Sequence, residues 1–238
     1  MSGVKKFLVI SDTHVNKTQE STWLERFGRA ATRLQPDFLV FLGDLADFDC
    51  KARYIKERSG DSPEDEVEYA LAQLDTHVLN VVKAVQDKQR KDKKKIWKPT
   101  TVFCMGNHDE RVEDLLLPEL NKRFDIVCKN REHISLSGVL FAHTFDKGIS
   151  GTTCSDAKDV LMNTMCCTVS GHSHVRGWAE LKRPDGIPLF AIKMPCATQA
   201  YPEWAGHKGN AWSRGFLILT VGEALGQPYM YDFTFIGD

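Results

Sequence analysis

Five short apolar runs in this 238-residue chain each end in residues that can hold a metal ion or move a proton. Ile10 leads to Ser11-Asp12-Thr13-His14, Leu42 to Gly43-Asp44-Leu45-Ala46-Asp47, and Met105 to Gly106-Asn107-His108-Asp109. Ala142 leads to His143, and Val169-Ser170 to Gly171-His172-Ser173-His174. Asp12 and His14 are two apart, as are His172 and His174, so on extended backbone each pair projects to one side and can reach a shared centre. Carboxylate, imidazole and one carboxamide together suit manganese, iron or zinc better than calcium. Each signal alone is weak: a lone Asp-x-His is mostly coincidence, Gly-Asp usually marks a turn, and a strand-end histidine is more often structural. The conjunction carries the weight, because five of the eight histidines fall at these ends.

The elements that must position these residues follow from the hydropathy pattern. Apolar runs at Val4–Ile10, Phe38–Leu42 and Thr101–Met105 read as strands, separated by helical patterns, which is the signature of crossover connections in a largely parallel sheet. One helix spans roughly Gln19–Leu34, with Trp23, Phe27, Ala30, Ala31 and Leu34 on one face. Ser62-Pro63-Glu64-Asp65 starts a second and longer one, since serine caps the free amides and proline is tolerated in the first turn. Arg111–Phe124 predicts a further helix, interrupted near Pro118.

The second half turns strand-rich: Val139–Ala142, Cys166–Val169, Trp178–Lys182, Leu189–Met194, Phe216–Val221 and Tyr229–Ile236, with Pro184-Asp185-Gly186 as a hairpin turn. Two stacked sheets with helices outside are expected. Ligands bind beyond the carboxyl ends of strands in open α/β sheets, so the five segments are placed to converge. Gly43, Gly106 and Gly171 would let the chain turn sharply there and admit a phosphate close to the backbone. One domain over 1–238 is expected, with 48–98 a long, largely helical insertion between metal motifs.

Composition narrows the function classes. A net charge of −1 gives no global electrostatic case for nucleic acid. The apolar run Phe7–Ile10 is too short for a signal peptide or membrane span. Seven unevenly spaced cysteines do not describe a disulfide framework, and they point to a reducing cytoplasm. The tract Lys83–Lys98 offers a nucleic-acid contact. Its helix begins with Glu64, Asp65, Glu66 and Glu68, however, so acids at the start and bases at the end also complement the macrodipole, and that solvated reading is preferred. Trp204–Arg214 is basic and aromatic; burial of its tryptophans is preferred over a substrate rim. His77 and His133 are read as structural, and nothing sets an oligomeric state.

The ordered set D-x-H, G-D-x-x-D, G-N-H-D, H and G-H-x-H, over Asp12 to His174, resembles the calcineurin-like metallophosphoesterase superfamily. The resemblance implies an α/β fold, a four-layer α/β/β/α sandwich of two stacked mixed sheets with a dinuclear metal site at the strand C-terminal edge. It implies Asp12, His14 and His174 on one ion, Asn107, His143 and His172 on the other, and Asp44 bridging both. His108 would be the uncoordinated histidine facing the scissile phosphate, oriented by Asp47. The cofactors implied are two divalent ions, manganese first and iron or zinc as alternatives, with a water acidified between them as the nucleophile attacking phosphorus. The compact G-H-x-H and G-N-H-D motifs resemble the phosphodiesterase and nuclease branches, whereas the arginines of the protein phosphatase branch are missing beside Gly43-Asp44 and Gly106-Asn107. A phosphomonoesterase is the enzymatic rival. An inactive binding scaffold is the other, opposed by the fact that every ligand position is filled.

Overall fold

The computed structural model describes residues 3–51, 60–148, 151–199, 211–224 and 227–237. A six-stranded sheet has the order β13 (Gln227–Gly237), β12 (Gly215–Ala224), β1 (Gly3–Ile10), β2 (Phe38–Phe41), β3 (Thr100–Cys104) and β4 (Ile126–Cys128). β1 to β4 run parallel, and β12 and β13 add on antiparallel. A five-stranded sheet has the order β10 (Gly177–Lys182), β11 (Pro188–Lys193), β9 (Cys167–Ser170), β6 (Val139–Ala142) and β5 (Ile134–Leu136). Its three central strands are parallel, and both edges are antiparallel. A two-residue ladder joins β7 (Asp146–Lys147) to β8 (Thr152–Thr153).

Alternating side chains of the first sheet serve two cores, as the period of two in a strand requires. Phe7, Val9, Val40, Leu42 and Val102 pack on Val139, Phe141, Val169 and Ile192 of the second sheet. Leu8, Ile10, Leu39, Phe41 and Phe103 face the other way, onto α1 (Thr22–Leu34), α2 (Pro63–Leu74), α3 (Asn80–Lys91) and α4 (Glu113–Leu120). The short helix α5 (Ala157–Thr164), capped by the Asp156 side chain, covers the outer face of the second sheet. The layers are therefore helix, sheet, sheet and helix, the mixed α/β sandwich expected.

Several local features depart from the sequence reading. The capping box at Ser62 and Asp65 starts α2 as expected, but the long helix does not run through unbroken. A π-helical turn at Asp75–Leu79 separates α2 from α3. The helix after β3 begins as a 3₁₀ turn, Asp109–Val112, and α4 ends at Leu120 with Pro118 inside it. The strands β4 and β5 and the helix α5 are additions. No described helix is long and apolar enough to cross a membrane, and all seven cysteines are free thiols.

The lysine tract acquires a location. Lys93, Lys94 and Lys95 are exposed between the end of α3 and Thr100, where β3 begins, whereas Asn107 and His108 follow the other end of that strand. Five residues of strand, at about 3.3 Å each, lie between the two edges. The tract thus sits at the opposite edge of the first sheet from Asn107 and His108, and Lys94 is paired with Asp92 at 3.3 Å.

The π turn is matched to Gly28 in α1. A Cβ on Gly28 would stand 1.9 Å from the carbonyl oxygen of His77 and 3.3 Å from Val81 Cγ2. Alanine normally favours a helix over glycine by about 1 kcal/mol, but here overpacking against backbone costs about 1–3 kcal/mol. Gly28→Ala should therefore lower the denaturation midpoint in urea or heat. A raised midpoint would show that α1 can move off the π turn freely.

Candidate metal centre

The loops after β1 and β2 are laced together before any side chain is considered. Asp12 N–H donates to Gly43 O (3.0 Å), His14 N–H to Asp44 O (3.1 Å) and Val15 N–H to Leu45 O (2.9 Å). Asp12, His14, Asp44, His172 and His174 all lie in the left-handed region, with φ of 52°, 43°, 50°, 71° and 59°. The expectation that Asp-x-His and His-x-His pairs converge through extended backbone is corrected here: the pairs converge, but through left-handed turns. A non-glycine residue there costs of order 1–2 kcal/mol, so these turns are held by the surrounding hydrogen bonds.

Two glycines make room for carboxylates rather than for phosphate. A Cβ on Gly106 would lie 2.1 Å from Asp44 Oδ1, and one on Gly171 would lie 2.6 Å from Asp12 Oδ2. Asp12 accepts the His172 N–H on both oxygens (3.2 and 3.0 Å), and Asp44 Oδ1 accepts the His108 N–H (2.8 Å).

The seven sequence-derived ligand candidates come together. Donor atoms of Asp12, His14 and His174 lie within 4.8 Å of one another, as do those of Asp44, His143 and His172. Asn107 Oδ1 is 3.2 Å from His143 Nε2. Asp44 Oδ2 stands between the two groups, 3.3 Å from His143 Nε2 and 3.9 Å from His14 Nε2.

The donors fit divalent ions. Nε2 of His14 and Nε2 of His174 face each other at 3.3 Å, as do His143 Nε2 and His172 Nδ1. In His14 and His143 the second nitrogen is engaged elsewhere, Nδ1 donating to Asp47 Oδ1 (2.8 Å) and to Leu42 O (2.6 Å). The inward nitrogens therefore present lone pairs to one another, an arrangement that calls for a cation between them. With protons as the available cations, burial would lower His14, but the Asp47, Asp44 and Asp12 carboxylates outweigh it and raise the imidazole to about 9. His143 likewise rises to about 9 against its burial, chiefly through Asp44. Burial and the charge on His143 push His172 down to about 4.

A model of the calcineurin-like phosphoesterase family matches residues 5–176. The chain belongs to that family. It is accordingly a metallophosphoesterase, a hydrolase acting on phosphoester bonds, in a metal-dependent family whose ligand types cluster here. No curated protein matches the sequence significantly. Among solved structures it is similar to a dimetal phosphatase from Danio rerio, 11% identical over 98% of each chain with a TM-score of 0.50. It is also similar to an archaeal phosphodiesterase, 12% identical over 97% of this chain and 99% of that one, TM-score 0.46. A phosphoesterase from E. coli, Yfce, is 18% identical over 95% and 98% of the two chains, TM-score 0.42. These likenesses concern the fold.

The structure adds residues that sequence reasoning left without a role. Asp109 is fully buried and accepts N–H bonds from Asp44 (2.8 Å), Leu45 (3.0 Å) and Gly106 (2.8 Å), pinning the loops after β2 and β3 together. Its burial and the nearby Asp44 raise it to about 7. The signal was present, since the last residue of Gly-Asn-His-Asp is the one carboxylate of that turn. Asp47 departs from its expected partner: its carboxylate is 2.8 Å from His14 Nδ1 and 3.8 Å from His108 Nδ1. The His108 Nδ1 instead donates to the Asp47 backbone carbonyl at 2.9 Å, and Arg111 Nη1 donates to the same oxygen at 2.8 Å. In the aromatic segment Trp204–Asn210 lies outside the described residues, whereas Trp212 sets its ring edge-on to His174, centroids 4.1 Å apart.

Elemental analysis after reconstitution should find close to two divalent ions per chain, with Asp44→Asn weakening both because it stands between the two groups. Asp47→Asn should weaken binding about 10–100-fold, as expected when the partner of a ligating histidine is lost. Imidazoles raised to about 9 are protonated at pH 7 and must shed those protons to ligate, so loading should release protons and apparent affinity should climb as pH rises toward 9. A pH-stat titration showing no proton release, or fewer than about half an ion per chain, would contradict the assignment.

Proposed function

We propose that this chain is a dinuclear-metal phosphodiesterase in which Asp12, His14, His174 and Asp44 hold one ion and Asp44, Asn107, His143 and His172 hold the other. The observation that carries the reading is the position of Asp44 Oδ2, within 4 Å of inward nitrogens from both groups. Manganese is the favoured metal, with iron and zinc suiting the same nitrogen and oxygen donors. Two such ions supply Lewis acidity at a phosphoryl oxygen and an acidified water as nucleophile.

The chain's own residues supply positioning and a proton. The Asp47 carbonyl can only accept, so it keeps the proton of His108 on Nδ1 and leaves Nε2 as the atom that exchanges a proton with the leaving oxygen. Burial holds His108 below the ordinary imidazole range despite the nearby Asp44, which makes its protonated form a stronger acid. Asp47 is a positioning residue, its carboxylate serving His14 and its carbonyl serving His108. The absence of arginines directly beside Gly43-Asp44 and Gly106-Asn107 supports a monoanionic diester over a protein phosphomonoester. A nucleic acid or nucleotide is one such diester, but the distant lysine tract gives no reason to prefer a polymer.

The metal-loaded protein should cleave a bis-aryl phosphate with higher kcat/KM than the mono-aryl ester, and the reverse order would point to a phosphomonoesterase. Chelator-resistant turnover would contradict both. His108→Ala should keep both ions yet lose a factor of about 10²–10⁴ in kcat, with a smaller loss for a very acidic leaving group. Metal loss equal to that of Asn107→Ala would make His108 a ligand instead.

A further inference from the structure

Resting on the phosphoesterase reading above, we propose that Arg111 grips a non-bridging oxygen of the substrate phosphoryl group, with its Nη2 edge beside His108. Arg111 lies in the 3₁₀ turn that directly follows Asn107 and His108, so its side chain returns to the same rim. The Asp47 carbonyl accepts both Arg111 Nη1 at 2.8 Å and His108 Nδ1 at 2.9 Å. One acceptor thus fixes two side chains, and it brings Arg111 Nη2 to 3.5 Å from His108 Nε2. That contact is at the outer limit of a hydrogen bond.

A purely structural role explains less. Pinning the Asp47 turn needs one N–H, whereas a guanidinium carries five. The partly buried Arg123 pairs with Asp75 and Glu119, whereas Arg26, Arg33 and Arg176, which like Arg111 have no carboxylate partner, are exposed to water. Among the described residues no carboxylate lies within ion-pair distance of Arg111, although Asp49 feels its charge from further away. A partly buried guanidinium without a counter-ion, beside a centre that gathers divalent ions, is unfavourable on its own. A phosphoryl oxygen supplies the missing acceptor, and the planar fork matches it in two directions.

Binding of inorganic phosphate to the metal-loaded chain, followed by calorimetry, tests this without relying on turnover. Arg111→Ala should keep both ions and weaken phosphate roughly tenfold or more, the size expected for a lost charge-assisted hydrogen bond. Added methylguanidine should restore part of the affinity, and Arg111→Lys, which can still donate to Asp47 O, should fall in between. In steady-state assays the loss should appear in kcat/KM and in the inhibition constant for phosphate together. Phosphate affinity within about twofold of wild type in both variants, or a wild-type chain that binds no phosphate, overturns the proposal. If metal loss in Arg111→Ala obscures its binding, the lysine variant alone decides, with unchanged affinity overturning it. Arginine-dependent phosphate binding in a chain that turns over no ester would uphold this site and remove the hydrolase assignment instead.

Discussion

Asp12 and Asp44 are carboxylates at 0% and 2% exposure, packed at one edge of a sandwich, and the rest of the centre answers the charge they bury. Water cannot solvate them there, so neutralisation has to come from neighbours. Backbone N–H groups of His172 and His108 approach first, and inward imidazole nitrogens complete the shell. Both carboxyls are held well below the usual range despite their burial, Asp12 through His174 and Asp44 through His143. An edge that holds anions this firmly is prepared for cations heavier than a proton.

That charge density dictates the backbone. To aim side chains from separate strands at one point, the chain leaves each strand through a turn, and at five of the candidate ligands the turn is left-handed. The strain is local, and the restraint comes from elsewhere: the hydrogen bonds between the loops after β1 and β2, and the three N–H groups converging on Asp109. The geometry of the candidate ligands is thus fixed by their own backbones, tied to one another and to Gly43, Leu45 and Asp109. The Asp44 backbone is held by Asp109 and its carboxylate by the His108 N–H, which leaves the candidate centre pre-organised.

The helical layer contributes at a distance. Gly28 lets α1 approach the π turn between α2 and α3 at backbone contact, which seats the layer on the face of β1 and β2. At the other end of the chain, Trp212 closes against His174, and Ser213 N–H donates to the His174 carbonyl at 2.9 Å. The strand after it, β12, pairs with β1 through Gly3–Val9, so this segment and the strand that leads to Asp12 and His14 share one ladder.

What the sequence by itself determined was the donor set and its setting: five strand ends with metal-ligand types, two stacked sheets with helices outside, and the order of motifs that marks the family. Those are legible because ligand type is a property of single residues and strand ends are visible in local hydropathy. The partner of Asp47, the tie from Asp109 to the loop after β2 and the return of Arg111 to the rim were decided only in three dimensions, since they depend on atoms 33, 65 and 64 positions apart in the chain meeting at hydrogen-bond distance. β4, β5 and α5 escaped for a different reason, being too short to show a period. The left-handed turns escaped because the residues that occupy them were chosen for their donors, and the fold, rather than local preference, holds the backbone there.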